Sequence, residues 1–199
     1  MRTFRIFGAG EWGLAVANHL SCLGHNVEIF LRNDNKISEF NKLRAYKDLG
    51  LSFNQNVIFN NLSDLNTLSS TKDIFNIIAS SSSGFADIIN SYRVYFQSCE
   101  SIIWLTKGLD HDSGLLFHEI IDQELSPSMN KCIISGPSFA KDLVSAKPLK
   151  VSIASSCDLL ANAIIGTMET EYFMFERTTD IIGVEVSGVM KNISAILAG

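Results

Sequence analysis

The sequence predicts an α/β fold built on a doubly wound, mostly parallel sheet. Short apolar runs alternate with helix-patterned segments, and a glycine-rich turn stands between the first run and the first helix. The chain has 199 residues, enough for one large domain or for a domain and the beginning of another. Strands alternating with helices mean β-α-β units, and such units build parallel sheets.

Taken in order, residues 4–7 form a buried strand, and residues 12–23 a helix ended by Gly24. Residues 27–31 are a second strand, followed by a helix over 36–44 with Asp34 available as its cap. Residues 45–72, rich in Asn and Ser, show no periodicity that selects an element. Strands are then expected at 74–79, 102–105, 132–135 and 151–154, with helices at 85–96, 115–124 and 159–168. The three prolines, Pro127, Pro137 and Pro148, fall in the loops between them. At the end, Ile182, Val186, Val189, Ile193, Ile196 and Leu197 recur at helical spacing and make one apolar stripe.

Composition excludes several classes. The chain is 46 % hydrophobic and 19 % charged, which supports a packed core and excludes disorder. With 16 Lys+Arg and 21 Asp+Glu the formal net charge is −5, so there is no basic footprint for nucleic acid. No apolar run approaches the about 18–20 residues of a membrane span. The first apolar stretch is interrupted by Gly8 and Glu11, too early for a secretory signal. Cys22, Cys99, Cys132 and Cys157 lie far apart and make no C-x-x-C pair. His19, His25, His111 and His118 add no ligand-spaced cluster. Neither a metal site nor a disulfide framework is expected, each cysteine reads as a small buried hydrophobe, and a reducing cytoplasm is the expected compartment.

The segment Gly8-Ala9-Gly10-Glu11-Trp12-Gly13 is a G-x-G-x-x-G turn between strand and helix, the fingerprint of a Rossmann-like dinucleotide site. Its first glycine permits the tight turn, the second lets backbone approach a pyrophosphate, and the third lets helix pack on strand. The helix N-terminus favours the anion. Just past the second strand stands Arg32, where an arginine suits the 2′-phosphate of NADP. The other reading is a surface arginine, with Asp34 holding the ribose of NAD or only capping a helix.

Two further segments end strands at the edge where open α/β sheets bind ligands. In Thr106-Lys107-Gly108 the lysine is either a solvated strand end or a charge turned over the cleft. In Ser135-Gly136-Pro137-Ser138-Phe139-Ala140 the glycine-proline-serine run would open a short helix, with free backbone donors beside a hydroxyl. In the final helix Lys191 lies nine residues beyond Ile182, which at about 100° per residue places it opposite the apolar stripe. Small residues surround it, Ser187, Gly188, Ser194 and Ala195. That pattern means close packing: either a desolvated lysine able to move a proton, or a snorkelling lysine on a helix packed on both faces.

Together, GAGEWG, TKGL, ISGPSFAK and IGVEVSGVMKNISAILAG resemble, in this order and along the whole chain, the NAD(P)-dependent glycerol-3-phosphate dehydrogenases of bacteria. The resemblance implies hydride transfer between dihydroxyacetone phosphate and sn-glycerol 3-phosphate, feeding phospholipid synthesis, in an enzyme that is a homodimer when full length. It implies that Glu11, Trp12, Arg32 and Ala140 face NADP (or NAD) beside Gly8, Gly10 and Gly13. It implies that Lys107 faces both cofactor and substrate, and that Gly136 and Ser138 face the small phosphorylated substrate. Lys191 matches the proton acceptor and Asn192 completes its motif. Residues 1–180 would be the NAD(P)-binding domain, and 181–199 the first helix of an α-helical substrate domain truncated at Gly199. One departure is Ala79-Ser80-Ser81-Ser82, where many relatives carry a Pro-Ser-His-like segment. The alternatives are a non-catalytic dinucleotide-binding module, or a 2-hydroxy-acid or 3-hydroxyacyl dehydrogenase, although those relatives are not expected to carry TKG, GPSFA and VMKN together.

Overall fold

In the computed structural model, which describes residues 1–68 and 73–198 and side chains as far as Lys191, the apolar runs become strands. These are β1 (Thr3–Phe7), β2 (Asn26–Leu31), β3 (Ala45–Tyr46), β4 (Leu51–Ser52), β5 (Val57–Asn61), β6 (Ile74–Ile78), β7 (Ser101–Trp104), β8 (Asn130–Ser135), β9 (Leu149–Ser155) and β10 (Phe173–Thr178). The helices are α1 (Glu11–Cys22), α2 (Asp34–Leu43), α3 (Ser82–Ser91), α4 (Arg93–Gln97), α5 (Phe117–Glu124), α6 (Ala140–Val144), α7 (Asp158–Met168) and α8 (Ile181–Ala198).

Eight strands form one sheet in the order β10-β9-β8-β7-β6-β1-β2-β5. The chain leaves β1 towards β2 and β5, then returns to the other side of β1 through β6, β7 and β8, every neighbouring pair parallel. The order therefore reverses between β1 and β6, and such a reversal opens a crevice at the carboxyl edge. β9 departs from the parallel pattern by running against β8, and β10 then follows β9 in parallel.

Side chains alternate across the strands. Phe4 and Ile6 of β1 join the core packed with Leu14, Leu20 and Ile164; Phe7 joins the opposite core with Phe85, Phe96, Trp104 and Phe117. The rings of Phe85 and Phe117 stack with centroids 4.3 Å apart and join α3 to α5. Arg5 is buried because Glu28 accepts its Nε at 2.7 Å and the Tyr95 hydroxyl accepts its Nη1 at 2.9 Å.

Several expectations need correction. The helix expected over 85–96 breaks at Tyr92, whose φ of −120° leaves the helical region, so α3 and α4 are separate. Asn33, not Asp34, caps α2 by accepting from the Lys36 amide at 3.0 Å. Residues 45–72 contain the β3–β4 hairpin and β5, both too short to show a period. Strand β10 was not legible because, of its six residues, only Phe173 is buried. Cys22 is exposed and Cys157 half-buried, whereas Cys99 and Cys132 fit the expected buried role.

α8 packs on β8 and β9. Val184, Glu185 and Gly188 turn inward, while Ile182 and Val186 of the stripe stay exposed, as does Met190. The stripe residues Ile193, Ile196 and Leu197 lie outside the described side chains. Among the described residues no helix is long and apolar enough to cross a membrane.

Candidate functional site

The glycine turn lies at the switch point. Gly8 has φ +117°, and a Cβ there would stand 2.6 Å from the Ala79 carbonyl oxygen at the end of β6. Two strand ends can approach this closely only where one residue lacks a side chain. A Cβ on Gly13 would stand 2.9 Å from the Gly8 oxygen, so this glycine seats α1 on β1. Gly10, by contrast, faces open space and caps α1 with no side chain over its amides. A cleft of about 280 Å³ opens there, lined by Gly8, Gly10, Arg32, Ser80 and Ser81 among others.

Beyond Ser80 the cleft continues into a hollow of about 210 Å³ lined by Trp12, Thr106, Lys107 and Ser138. Trp12 is held there edge-on against Phe173, with ring centroids 6.2 Å apart. The Thr106 hydroxyl donates to the Ser80 carbonyl at 3.1 Å and ties the end of β7 to the loop after β6. Next comes a third hollow, about 240 Å³, lined by Gly136, Ser187, Gly188 and Lys191. Another cavity, about 480 Å³ between Leu65 and Tyr95, lies apart and includes none of these residues.

The polar groups converge on one atom. Lys107 Nζ donates to the Gly136 carbonyl oxygen at 2.7 Å and to Ser138 Oγ at 3.2 Å. Lys191 Nζ reaches the same carbonyl at 3.4 Å and stands over the exposed ring of Phe139, 5.0 Å from its centroid. Gly136 suits the point where the chain leaves β8 close beside β9, since a Cβ there would stand 3.1 Å from Val151 Cα. Gly188 lets α8 come close enough: a Cβ there would lie 3.2 Å from Ser135 Oγ and 3.8 Å from Lys107 Cγ.

Burial, reinforced by the neighbouring Lys191 ammonium, lowers the Lys107 pKa from 10.5 to about 8. The folded chain therefore releases this proton before the unfolded chain does, and stability rises with pH between those two values. Lys107→Met is expected to remove that rise, which urea unfolding on both sides of the interval measures. Among the described residues no carboxylate stands between the two lysines, and an anion entering between them relieves their repulsion.

One expectation here is corrected. The Gly136–Ser138 run does not open a helix: α6 begins at Ala140, and the Ser138 amide donates back to the Gly136 carbonyl at 2.8 Å. Ala140 is buried at the start of α6 and lines none of the hollows. Glu11 is exposed in the first turn of α1. Asn192 lies outside the described side chains.

The sequence reading missed Phe139 and also Glu185. The Glu185 side chain is 0 % exposed; its carboxylate accepts from the His118 amide at 3.2 Å and pairs with the His118 ring. It thereby caps the first turn of α5 and pins α8 six residues before Lys191. Burial pushes this carboxyl's pKa up, against the pull of His118. The one available signal was a carboxylate between Val184 and Val186 in an apolar helix; its partner is 67 residues away. Glu185→Gln keeps the shape and loses the charged pairing. It is expected to cost about 1–2 kcal/mol in urea unfolding at neutral pH.

A doubly wound sheet with its glycine turn, open helix N-terminus and cationic cleft at the switch point defines a dinucleotide-binding domain. The family model described as NAD-dependent glycerol-3-phosphate dehydrogenase N-terminus matches residues 4–161, and the chain belongs to that family. It is 33 % identical to the glycerol-3-phosphate dehydrogenase (NAD(P)+) of Francisella tularensis subsp. novicida, over 98 % of this chain and 58 % of that protein. It is 30 % identical to the same-named protein of Halorhodospira halophila, over 99 % and 58 %. A crystal structure of glycerol-3-phosphate dehydrogenase from Coxiella burnetii superposes with TM-score 0.86 at 27 % identity, over 98 % of this chain and 59 % of that one. The chain thus spans somewhat over half the length of these relatives. The site fits a dinucleotide: Gly10 leaves the space a pyrophosphate needs, and Arg32 stands at the end of the same cleft.

Proposed function

We propose that this chain carries the cofactor site and the acid–base lysine of a cytoplasmic, homodimeric glycerol-3-phosphate dehydrogenase. Its reaction interconverts dihydroxyacetone phosphate and sn-glycerol 3-phosphate with NADP, NAD also being accepted, and supplies phospholipid synthesis. The observation that carries this reading is the convergence of Lys107, Lys191 and Ser138 on Gly136, one hollow away from the glycine turn. In this reading residues 1–180 are the cofactor domain, and 181–199 begin the substrate domain.

The bound nicotinamide supplies the hydride. Everything else is the work of side chains. Lys191 holds an N–H towards the place where a ketone oxygen can replace the Gly136 carbonyl as acceptor. As negative charge develops on that oxygen, the ammonium stabilises it and then transfers a proton. Lys107 and Ser138 offer an ammonium and a hydroxyl to the substrate, and Lys107 also faces the cofactor side through the hollow shared with Trp12. Gly8, Gly10 and Gly13 shape the pyrophosphate turn, and Glu11, Trp12 and Ala140 are the further cofactor contacts of this reading. Asn192 stands beside Lys191 in the chain and takes its place in the motif.

The test is a substrate panel monitored by loss of NADPH absorbance in the natural polypeptide that carries this sequence. Dihydroxyacetone phosphate should be reduced, and unphosphorylated dihydroxyacetone at least tenfold less efficiently, since a missing charge-assisted contact costs roughly 1.5–3 kcal/mol. A 2-oxo acid or 3-oxoacyl substrate winning the panel would overturn the proposal. For the cofactor, Arg32→Asp should erase the preference for NADPH over NADH, because an aspartate repels the 2′-phosphate that arginine pairs with. Equilibrium titration with both nucleotides measures it, and an unchanged ratio makes Arg32 a bystander.

A further inference from the structure

Arg32 already has a partner. Its Nη2 lies 3.6 Å from Asp87 Oδ2. The two residues reach each other across the switch point: Arg32 follows β2, and Asp87 belongs to α3, which follows β6, on the other side of β1. Between these elements lies the cleft bordered by Gly8, Gly10 and Ser80. The side chains are 59 % and 63 % exposed, so both are free to rearrange when a ligand enters. Asp34, the carboxylate next to Arg32 in sequence, is engaged elsewhere and accepts from Asn61 Nδ2 at 2.6 Å. The anionic partner of the guanidinium is therefore supplied by α3 and not by the end of β2, where a ribose-binding carboxylate ordinarily stands.

We propose that Asp87 is a specificity-determining residue, one that competes with a cofactor 2′-phosphate for Arg32 and so narrows the preference for NADPH over NADH. This rests on the reading of Arg32 as the 2′-phosphate partner. A 2′-phosphate brings a nearly doubly negative group to Arg32, must displace the Asp87 carboxylate, and stays within Coulomb reach of it afterwards. A 2′-hydroxyl brings no charge and can donate a hydrogen bond to the same carboxylate. Asp87 thus penalises one cofactor and not the other. Because the pair is exposed, the penalty is modest and screened by salt.

The experiment titrates the natural polypeptide that carries this sequence with NADPH and with NADH, by calorimetry, for the wild type, Asp87→Asn, Arg32→Ala and the double variant. Asp87→Asn is expected to tighten NADPH binding about three- to tenfold without tightening NADH, and less so at high salt. In the Arg32→Ala background the same change should shift the ratio clearly less, since the competition for the guanidinium is gone and only the direct action of the carboxylate on the cofactor remains. An unchanged NADPH-to-NADH ratio in Asp87→Asn, with both nucleotides binding, overturns the role of Asp87 and leaves the cofactor site intact. A ratio that shifts equally with and without Arg32 overturns it too. A wild-type chain that binds neither nucleotide overturns the underlying reading of the cleft, a result distinct from both.

Discussion

Replacing Lys191 by alanine is expected to lower kcat for dihydroxyacetone phosphate reduction by about 10²–10⁴-fold and to leave the affinity for NADPH nearly unchanged. Its ammonium is 3.4 Å from the Gly136 carbonyl, in a hollow formed by β8 and α8, whereas the glycine turn belongs to β1 and α1. Loss of the amine therefore removes a proton donor and oxyanion partner without touching the pyrophosphate turn. Lys107 remains and can polarise the substrate, which sets the residual rate. Steady-state kinetics in the natural polypeptide, paired with NADPH titration, separates the two quantities. Near-normal kcat would reduce Lys191 to a lysine that holds its ammonium over Phe139 and does nothing more.

Gly8→Ala is expected to destabilise the fold by roughly 2–6 kcal/mol, the sum of a strained left-handed backbone and of overpacking. The added Cβ would stand 2.6 Å from the Ala79 carbonyl oxygen and 2.9 Å from the Ser80 amide nitrogen, both of them backbone atoms just past the end of β6. No side chain can swing aside to make room, so β1 and β6 must separate where the cofactor cleft begins. Urea unfolding should show a lower midpoint with an unchanged m-value, and dinucleotide binding should weaken in parallel. Wild-type stability in this variant would mean that the turn is looser than the geometry states.

The local parts of the site were legible in the sequence. Gly8, Gly10 and Gly13 each serve the chain segment they belong to, so a strand, a turn and a helix in succession were enough to assign their three roles. The face of α8 that carries Lys191 was legible too, because Ser187 and Gly188 are small where a solvated face would be charged. What could not be read was convergence. Lys107 and Lys191 meet at Gly136 from 29 and 55 residues away, and periodicity carries no information about which strand ends become neighbours. The same limit hid the Glu185–His118 pair and the Arg32–Asp87 pair, both closed by tertiary structure. β10 escaped for another reason. It lies at the sheet edge with one buried residue, so the alternation that marks a strand is absent.

Deuterium transfer from NADPH follows both the hydride and the role of Lys191 in one experiment. NADPH carrying deuterium at the reactive nicotinamide position is incubated with dihydroxyacetone phosphate and the natural polypeptide, and the product is examined by mass spectrometry. The expected product is sn-glycerol 3-phosphate with one deuterium on its central carbon, formed by the wild type and about 10²–10⁴-fold more slowly by Lys191→Ala. No labelled product, or product formed equally fast without Lys191, would contradict this expectation.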